Sequence, residues 1–315
     1  MTEPVGIVDI ATYVPEGRLD LRQAAHGLNA TPEFLEKKTG YAKVSRAAEG
    51  EETSDLAVKA INALIARNPE AAGKIGMLLL VSQNPDAYGL PHVSAIVHGK
   101  LGWDSRVAAF DVSLGCSGWV YGLSIAKSFM EANGIEYGVL VTADPYSKVM
   151  DEADRNTMLL FGDAAAATLL GRRSVAWYPG KFVFGTDGSR SGDLKVDEQR
   201  KLRMNGTAIF TFSATRVPQT IRDVVAANGL ALTDIDHVLL HQGSRYIVDT
   251  IGARLGAGHK TPFIDNGIGN SVSSTVPWLL SQSEFQRDRR LVACGFGVGL
   301  SWAATVLTNA RRGDS

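Results

Sequence analysis

Short apolar runs alternate with helix-spaced stripes along most of the chain. Runs at 75–81, 107–112, 137–142 and 235–240 are almost free of charge, the pattern of strands covered on both faces. Between them, Leu56, Ala60, Ala63 and Leu64 mark one face of a helix over 53–66, and Trp119, Leu123, Ala126 and Met130 mark another over 117–133. Strands are also expected at 5–13, 41–45, 261–265, 290–294 and 300–308. Helices are expected at 19–28, at 31–38 with Thr31 as cap, at 92–101, 208–228 and 244–255, and over 271–285, where Pro277 must kink the helix or mark its first turn. The stretch 144–156 reads as an irregular excursion. The Gly-, Ser- and charge-rich stretch 172–203 reads as hairpins and loops. Such strand–helix alternation predicts an α/β fold with largely parallel pairing.

The order repeats itself. Phe110-Asp111 leads to Gly115-Cys116 with the same spacing by which Ile264-Asp265 leads to Gly269-Asn270. Upstream, Leu78-Leu79-Leu80-Val81-Ser82-Gln83 resembles Val238-Leu239-Leu240-His241-Gln242. Downstream, Leu140-Val141-Thr142-Ala143 is matched by Leu291-Val292-Ala293-Cys294. Two copies of one βαβαβ unit are therefore expected, with Gly171-Arg172-Arg173 as the boundary between residues 1–171 and 172–315. Equivalent strand ends meeting at a pseudo-twofold axis would gather Cys116, His241 and Asn270.

Cys116 follows a strand and a glycine and opens a helix. The positive end of a helix dipole favours thiolate over thiol, which makes this cysteine a candidate nucleophile rather than a small core residue. Cys294 ends an apolar strand and reads as core. His241 stands apart from the other five histidines because it matches a site-lining position of the repeat; a neutral imidazole there can donate to a developing enolate or move a proton. Asn270 read locally is a turn residue capping a helix, and only the repeat gives it a functional reading. The Gly295-Phe296-Gly297-Val298-Gly299 turn is either a plain hairpin turn or a means of aiming the Val298 N–H, together with that of Cys116, at an oxyanion.

Composition narrows the class. A formal charge of −1 argues against a general nucleic-acid or membrane-surface binder. Two cysteines make no disulfide framework, metal-ligand types are not clustered, and neither a signal peptide nor a membrane span is evident. A soluble, cytoplasmic enzyme without metal or cofactor is expected.

Gly115-Cys116-Ser117-Gly118, His241-Gln242-Gly243-Ser244 and Gly269-Asn270-Ser271 resemble the β-ketoacyl-acyl-carrier-protein synthase III family of the thiolase-fold superfamily. So do Thr39-Gly40, Asp154-Arg155, Leu160-Phe161-Gly162-Asp163, Met204-Asn205-Gly206 and the closing Gly295–Trp302 run, in the family's order over nearly the whole chain. The resemblance implies a thiolase-like five-layered αβαβα fold and a homodimer. It also implies a ping-pong reaction: Cys116 takes an acyl group from acyl-CoA or an acyl carrier protein, and His241 and Asn270 hold the enolate of a decarboxylating malonyl-type extender. Cys116 and Val298 amides would hold the oxyanion, and Phe34, Arg155, Leu90 and Gly206 would bind substrate. Phe34 replaces a usual tryptophan, Gly243-Ser244 a usual Ala-Asn, Val298 a glycine, Thr211 a basic docking residue and Leu90 an aromatic. These departures favour a specialised role in fatty-acid or polyketide biosynthesis over initiation of fatty-acid synthesis.

Four other readings compete at this point. A relative could pass the acyl group to an alcohol or amine without decarboxylation. A catalytically silent partner subunit would be marked by loss of the cysteine, which is present. Hydroxymethylglutaryl-CoA synthases share the fold but use a glutamate where this chain has Ser82-Gln83. Papain-like proteases share the Cys, His, Asn order, but neither their local signature nor the duplicated pattern matches.

Overall fold

The computed structural model describes residues 3–312. Among the described residues there are thirteen strands: β1 (Gly6–Tyr13), β2 (Gly17–Asp20), β3 (Lys43–Arg46), β4 (Ile75–Val81), β5 (Ala108–Val112), β6 (Tyr137–Ala143), β7 (Ala165–Gly171), β8 (Trp177–Thr186), β9 (Leu194–Val196), β10 (Leu202–Met204), β11 (His237–Leu240), β12 (Arg290–Gly297) and β13 (Ser301–Asn309). The α-helices are α1 (Leu21–Gly27), α2 (Thr53–Arg67), α3 (Val93–Leu101), α4 (Gly118–Asn133), α5 (Arg155–Met158), α6 (Gly206–Ala227), α7 (Arg245–Leu255) and α8 (Thr275–Leu280).

Nine strands form one continuous sheet in the order β11-β12-β13-β8-β1-β7-β6-β4-β5. Its two wings meet where β1 pairs with β8 through Ile7 and Trp177. Outward from this seam each wing repeats the same sequence of pairings. On one side β1–β7 and β7–β6 are antiparallel and β6–β4 parallel. On the other β8–β13 and β13–β12 are antiparallel and β12–β11 parallel. Thus β4 corresponds to β11 and β6 to β12, the equivalences expected from the sequence repeat. One wing adds β5, parallel to β4, as an edge.

The helices sort into three layers around these wings. Helices α2 and α3 pack on the outer face of the β1–β7–β6–β4–β5 wing. Helices α6 and α7 cover the β8–β13–β12–β11 wing. Helix α4 touches β4 and β6 as well as β12 and β13, and α8 touches β1, β7, β11 and β12, so these two lie between the wings. The result is the five-layered αβαβα fold. The central layer has an apolar core: Trp119, Leu123, Ala126 and Met130 of α4, with Val276 and Leu279 of α8, are fully buried or nearly so. Each buried side chain of this size contributes about 1.5–3 kcal/mol by leaving water.

The structure corrects four expectations. Residues 172–203 are not only hairpins and loops, because β8 runs ten residues through the seam of the sheet. Residues 261–265 are not a strand: the Gln242 side chain donates to the Pro262 carbonyl and accepts from Ile264 N–H, so this backbone is satisfied without a ladder. The 271–285 segment is broken into short turns around α8, with Pro277 in its first turn, where a missing N–H costs nothing. Helix α1 starts only at Leu21, capped by the Asp20 carboxylate, because 17–20 pair with β3. Among the described residues, no helix is long and apolar enough to cross a membrane.

Candidate active site

Cys116 ends the turn between β5 and α4. Helix α4 begins at Gly118, so the cysteine lies just ahead of its first turn. Glycine is required opposite it: a Cβ on Gly297 of β12 would come within 2.8 Å of the Cys116 Sγ, and one on Gly295 within 2.5 Å of its carbonyl oxygen. Strand β12 can therefore pass directly beneath the thiol.

The thiol is 5% exposed. Burial, then the neighbouring Asp144 carboxylate, pushes its pKa up to about 12, against the stabilising pull of the Val298 and Cys116 backbone N–H groups. The expectation of a standing thiolate is thus overturned: loss of hydration outweighs the helix end, and the resting group is a thiol.

His241 lies just beyond the end of β11, its N–H donating to the Cys294 carbonyl at 2.8 Å. Its ring stands edge-on to Phe296, with centroids 5.5 Å apart and planes at 89°. Burial lowers its pKa to about 3, so the imidazole is neutral at physiological pH. Nδ1 is 2.7 Å from the Thr275 hydroxyl.

Asn270 is held from both ends of the chain. Its N–H donates to the Leu160 carbonyl at 2.9 Å and its carbonyl accepts from Gly162 N–H at 3.0 Å. Gly162 is obligatory, since a Cβ there would sit 1.7 Å from the Ile268 carbonyl oxygen. This pairing is the structural content of Leu160-Phe161-Gly162-Asp163. Oδ1 of Asn270 accepts from Val272 N–H at 3.0 Å, while Nδ2 keeps only a long 3.4 Å contact to the Gly243 carbonyl. The amide donor is therefore the free end.

One cavity of about 520 Å³ joins these three residues. Phe161, Leu194, Ile209 and Phe296 supply apolar walls, and Phe34, Lys38, Asn156, Gly206 and Tyr246 also line it. Of the remaining expected substrate residues, Arg155 is not on the wall but sits over the Phe34 ring, its guanidinium carbon 5.6 Å from the centroid. Leu90 does not join the site within one chain: it is 85% exposed on the loop after Asp86–Gly89.

Three residues beyond the expected set tie the site loops together. Asp144 accepts from the Ser82 hydroxyl at 3.1 Å, from Gln83 N–H at 2.8 Å and from the Ser273 hydroxyl. Burial raises its pKa to about 6 despite these bonds. Val272 and Thr275 orient Asn270 and His241. Their positions after Asn270 carried no sequence signal, because turn residues of that type occur everywhere.

Residues 110–188 match the model of the 3-oxoacyl-[acyl-carrier-protein] synthase III family, and residues 225–309 match its C-terminal model. The β-ketoacyl-[acyl-carrier-protein] synthase III of Deinococcus deserti is 30% identical, over 95% of this chain and 90% of its own length. The chain belongs to the 3-oxoacyl-[acyl-carrier-protein] synthase III family. This synthase is an acyltransferase-type condensing enzyme of fatty-acid biosynthesis. A crystal structure of a 3-oxoacyl-(acyl-carrier-protein) synthase III superposes with a TM-score of 0.90 at 33% identity, covering 97% of this chain and 99% of the other. The priming β-ketosynthase of the R1128 polyketide pathway shares the fold, with a TM-score of 0.88 at 24% identity over 98% of this chain and 97% of the other.

Proposed function

We propose that this synthase performs a two-stage decarboxylative Claisen condensation, with Cys116 as nucleophile and His241 and Asn270 as the enolate-binding pair. The observation that carries the reading is the single cavity shared by these three side chains. In the first stage Cys116 Sγ attacks the carbonyl of an acyl thioester from CoA or an acyl carrier protein. Its proton leaves through neutral His241, the carrier thiol departs with a proton, and an acyl-Cys116 thioester remains. The Cys116 and Val298 N–H groups stabilise the tetrahedral oxyanion, each such donor contributing about 3 kcal/mol. In the second stage a malonyl-type thioester loses CO2. His241 and the Nδ2 of Asn270 hydrogen-bond the enolate oxygen, the carbanion carbon attacks acyl-Cys116, and a 3-oxoacyl thioester leaves as the Cys116 thiolate takes up from solvent the one proton that the decarboxylation consumes. Two stages in one cavity avoid gathering three reactants at once.

Phe34 and Arg155 form the donor-binding face at the mouth, and Gly206 keeps the passage open beside them. The departures at Phe34, Gly243-Ser244, Val298 and Thr211 support a specialised fatty-acid or polyketide role, with a donor other than that of the initiating enzyme. The chain divides at 171/172 into a half carrying the nucleophile and a half carrying His241 and Asn270. It acts as a homodimer. Strand β5 supports this: it is an unpaired, half-buried edge, with Phe110 packed on Phe129 at 5.2 Å beside it. In such a dimer the exposed Leu90 would reach the partner's acyl cavity.

Intact mass after incubation with a panel of acyl-CoAs and acyl carriers tests the first stage. The expected adduct is absent in Cys116→Ala; no adduct with any donor overturns the reading. Release of CO2 from a malonyl donor tests the second stage, and transfer without CO2 release would show an alcohol or amine acceptor instead.

A further inference from the structure

Thr275 stands behind His241, away from the cavity wall, in the first turn of α8. It is buried, and its hydroxyl oxygen has two partners: His241 Nδ1 at 2.7 Å and the Val272 carbonyl at 3.1 Å. A hydroxyl carries one proton and can give it to only one of these acceptors at a time.

Each choice dictates a different imidazole. With the hydroxyl proton on the Val272 carbonyl, its oxygen accepts Nδ1–H, and Nε2 presents a lone pair. With the proton aimed at Nδ1, that nitrogen is the acceptor, and Nε2 carries the hydrogen. The first form can take the proton of Cys116. The second can donate to an enolate oxygen. Neutral imidazole cannot do both at once.

We propose that Thr275 is a positioning residue whose hydroxyl rotor decides which nitrogen of His241 carries the proton, and so lets one histidine serve both stages. This rests on the condensation reading above. Val272 makes the arrangement possible. It is a fully buried β-branched residue at φ 52°, a conformation such residues avoid. That conformation sends its N–H to Asn270 and its carbonyl to Thr275, so one peptide unit on each side of Val272 serves both arms of the enolate site.

Thr275→Val keeps the shape and removes the rotor. Valine gives Nδ1 no hydroxyl proton to accept, so the Nε2–H form loses its donor, while the Nδ1–H form still offers the lone pair on Nε2 that acylation needs. Acylation of Cys116 should stay within about threefold of the native rate. Single-turnover CO2 release from a malonyl donor should fall about 100-fold, the effect of losing one donor to an oxyanion. Thr275→Ser should restore it. Equal loss of both stages, no loss of either, or failure of serine to rescue overturns the proposal. Nitrogen-15 shifts of the His241 imidazole, assigned by comparison with His241→Asn, give a readout that needs no substrate. The Nε2–H share should be larger in the native protein than in Thr275→Val, and identical tautomers overturn the proposal even if native condensation is absent. Thr275→Ala carries the same comparison if the valine variant does not fold.

Discussion

The backbone N–H of Val272 lies 3.0 Å from Oδ1 of Asn270 and commits that oxygen, leaving the Nδ2 end to face the cavity. The side chain is thereby a donor by construction. Asn270→Asp retains the acceptor but replaces the donor with a negative charge beside the enolate. Single-turnover CO2 release should fall at least about 100-fold, while acylation of Cys116 by intact mass is unchanged. Retained decarboxylation would remove Asn270 from the mechanism.

Burial, and after it the Asp144 carboxylate, holds the thiol in its protonated form. Its own pKa is raised to about 6, so it is ionised at about pH 8, where it opposes a second negative charge on Cys116. Asp144→Asn should lower the apparent pKa of Cys116. A shift of about one unit makes alkylation by iodoacetamide about tenfold faster at a pH below that pKa. Slower or unchanged alkylation would contradict the electrostatic coupling.

Gly297 is a steric requirement of the Cys116 side chain. Its added Cβ would meet both Sγ and Cβ of Cys116, at 2.8 and 2.9 Å. Gly297→Ala should displace the thiol and slow acylation more than about tenfold, with a stability loss of about 1–3 kcal/mol from overpacking. Stopped-flow acylation and thermal melting separate the two effects.

His241 makes the fold acid-sensitive. Its pKa falls from 6.5 to about 3 on burial, so between these values the unfolded chain binds a proton that the native state does not. Stability is complete above about pH 6.5 and is lost as pH falls towards 3. Asp144 acts in the opposite sense, because its raised pKa makes the native state bind the extra proton between about 6 and 3.8. Denaturant melts of the native protein and His241→Asn isolate the first contribution. Going from pH 7 to about pH 5, the native protein should lose about 2 kcal/mol more than the variant.

The Arg155 guanidinium carbon lies 5.6 Å from the centroid of the Phe34 ring, which lines the cavity. Phe34→Ala should raise KM for the acyl donor about fivefold with little change in kcat, as expected when a cation–π and stacking contact of roughly 1 kcal/mol is removed from donor binding. A fall in kcat alone would place Phe34 elsewhere in the cycle.

Local pattern and internal repetition were enough for the frame. The apolar run at 75–81 is strand β4, and the Trp119–Met130 stripe is the buried face of α4. The match of Leu78–Gln83 to Val238–Gln242 anticipated the equivalence of β4 and β11, because a duplicated unit keeps its pairing order even after most identities are lost. The ten-residue strand β8 was hidden: Pro179, Gly180 and Lys181 break its apolar pattern, and it is held by β13 and the seam rather than by its own periodicity.

The sequence by itself determined a duplicated α/β chain and the chemical types of Cys116, His241 and Asn270, since these follow from residue identity, spacing and hydrophobic period. Tertiary structure decided their states. Burial and Asp144 made Cys116 a thiol, burial made His241 a neutral imidazole, Val272 committed the Asn270 Oδ1 as an acceptor, and Thr275 came to rest behind the imidazole. Desolvation and hydrogen-bond direction depend on groups that lie far apart along the chain and become neighbours only when the two wings close on their shared helices.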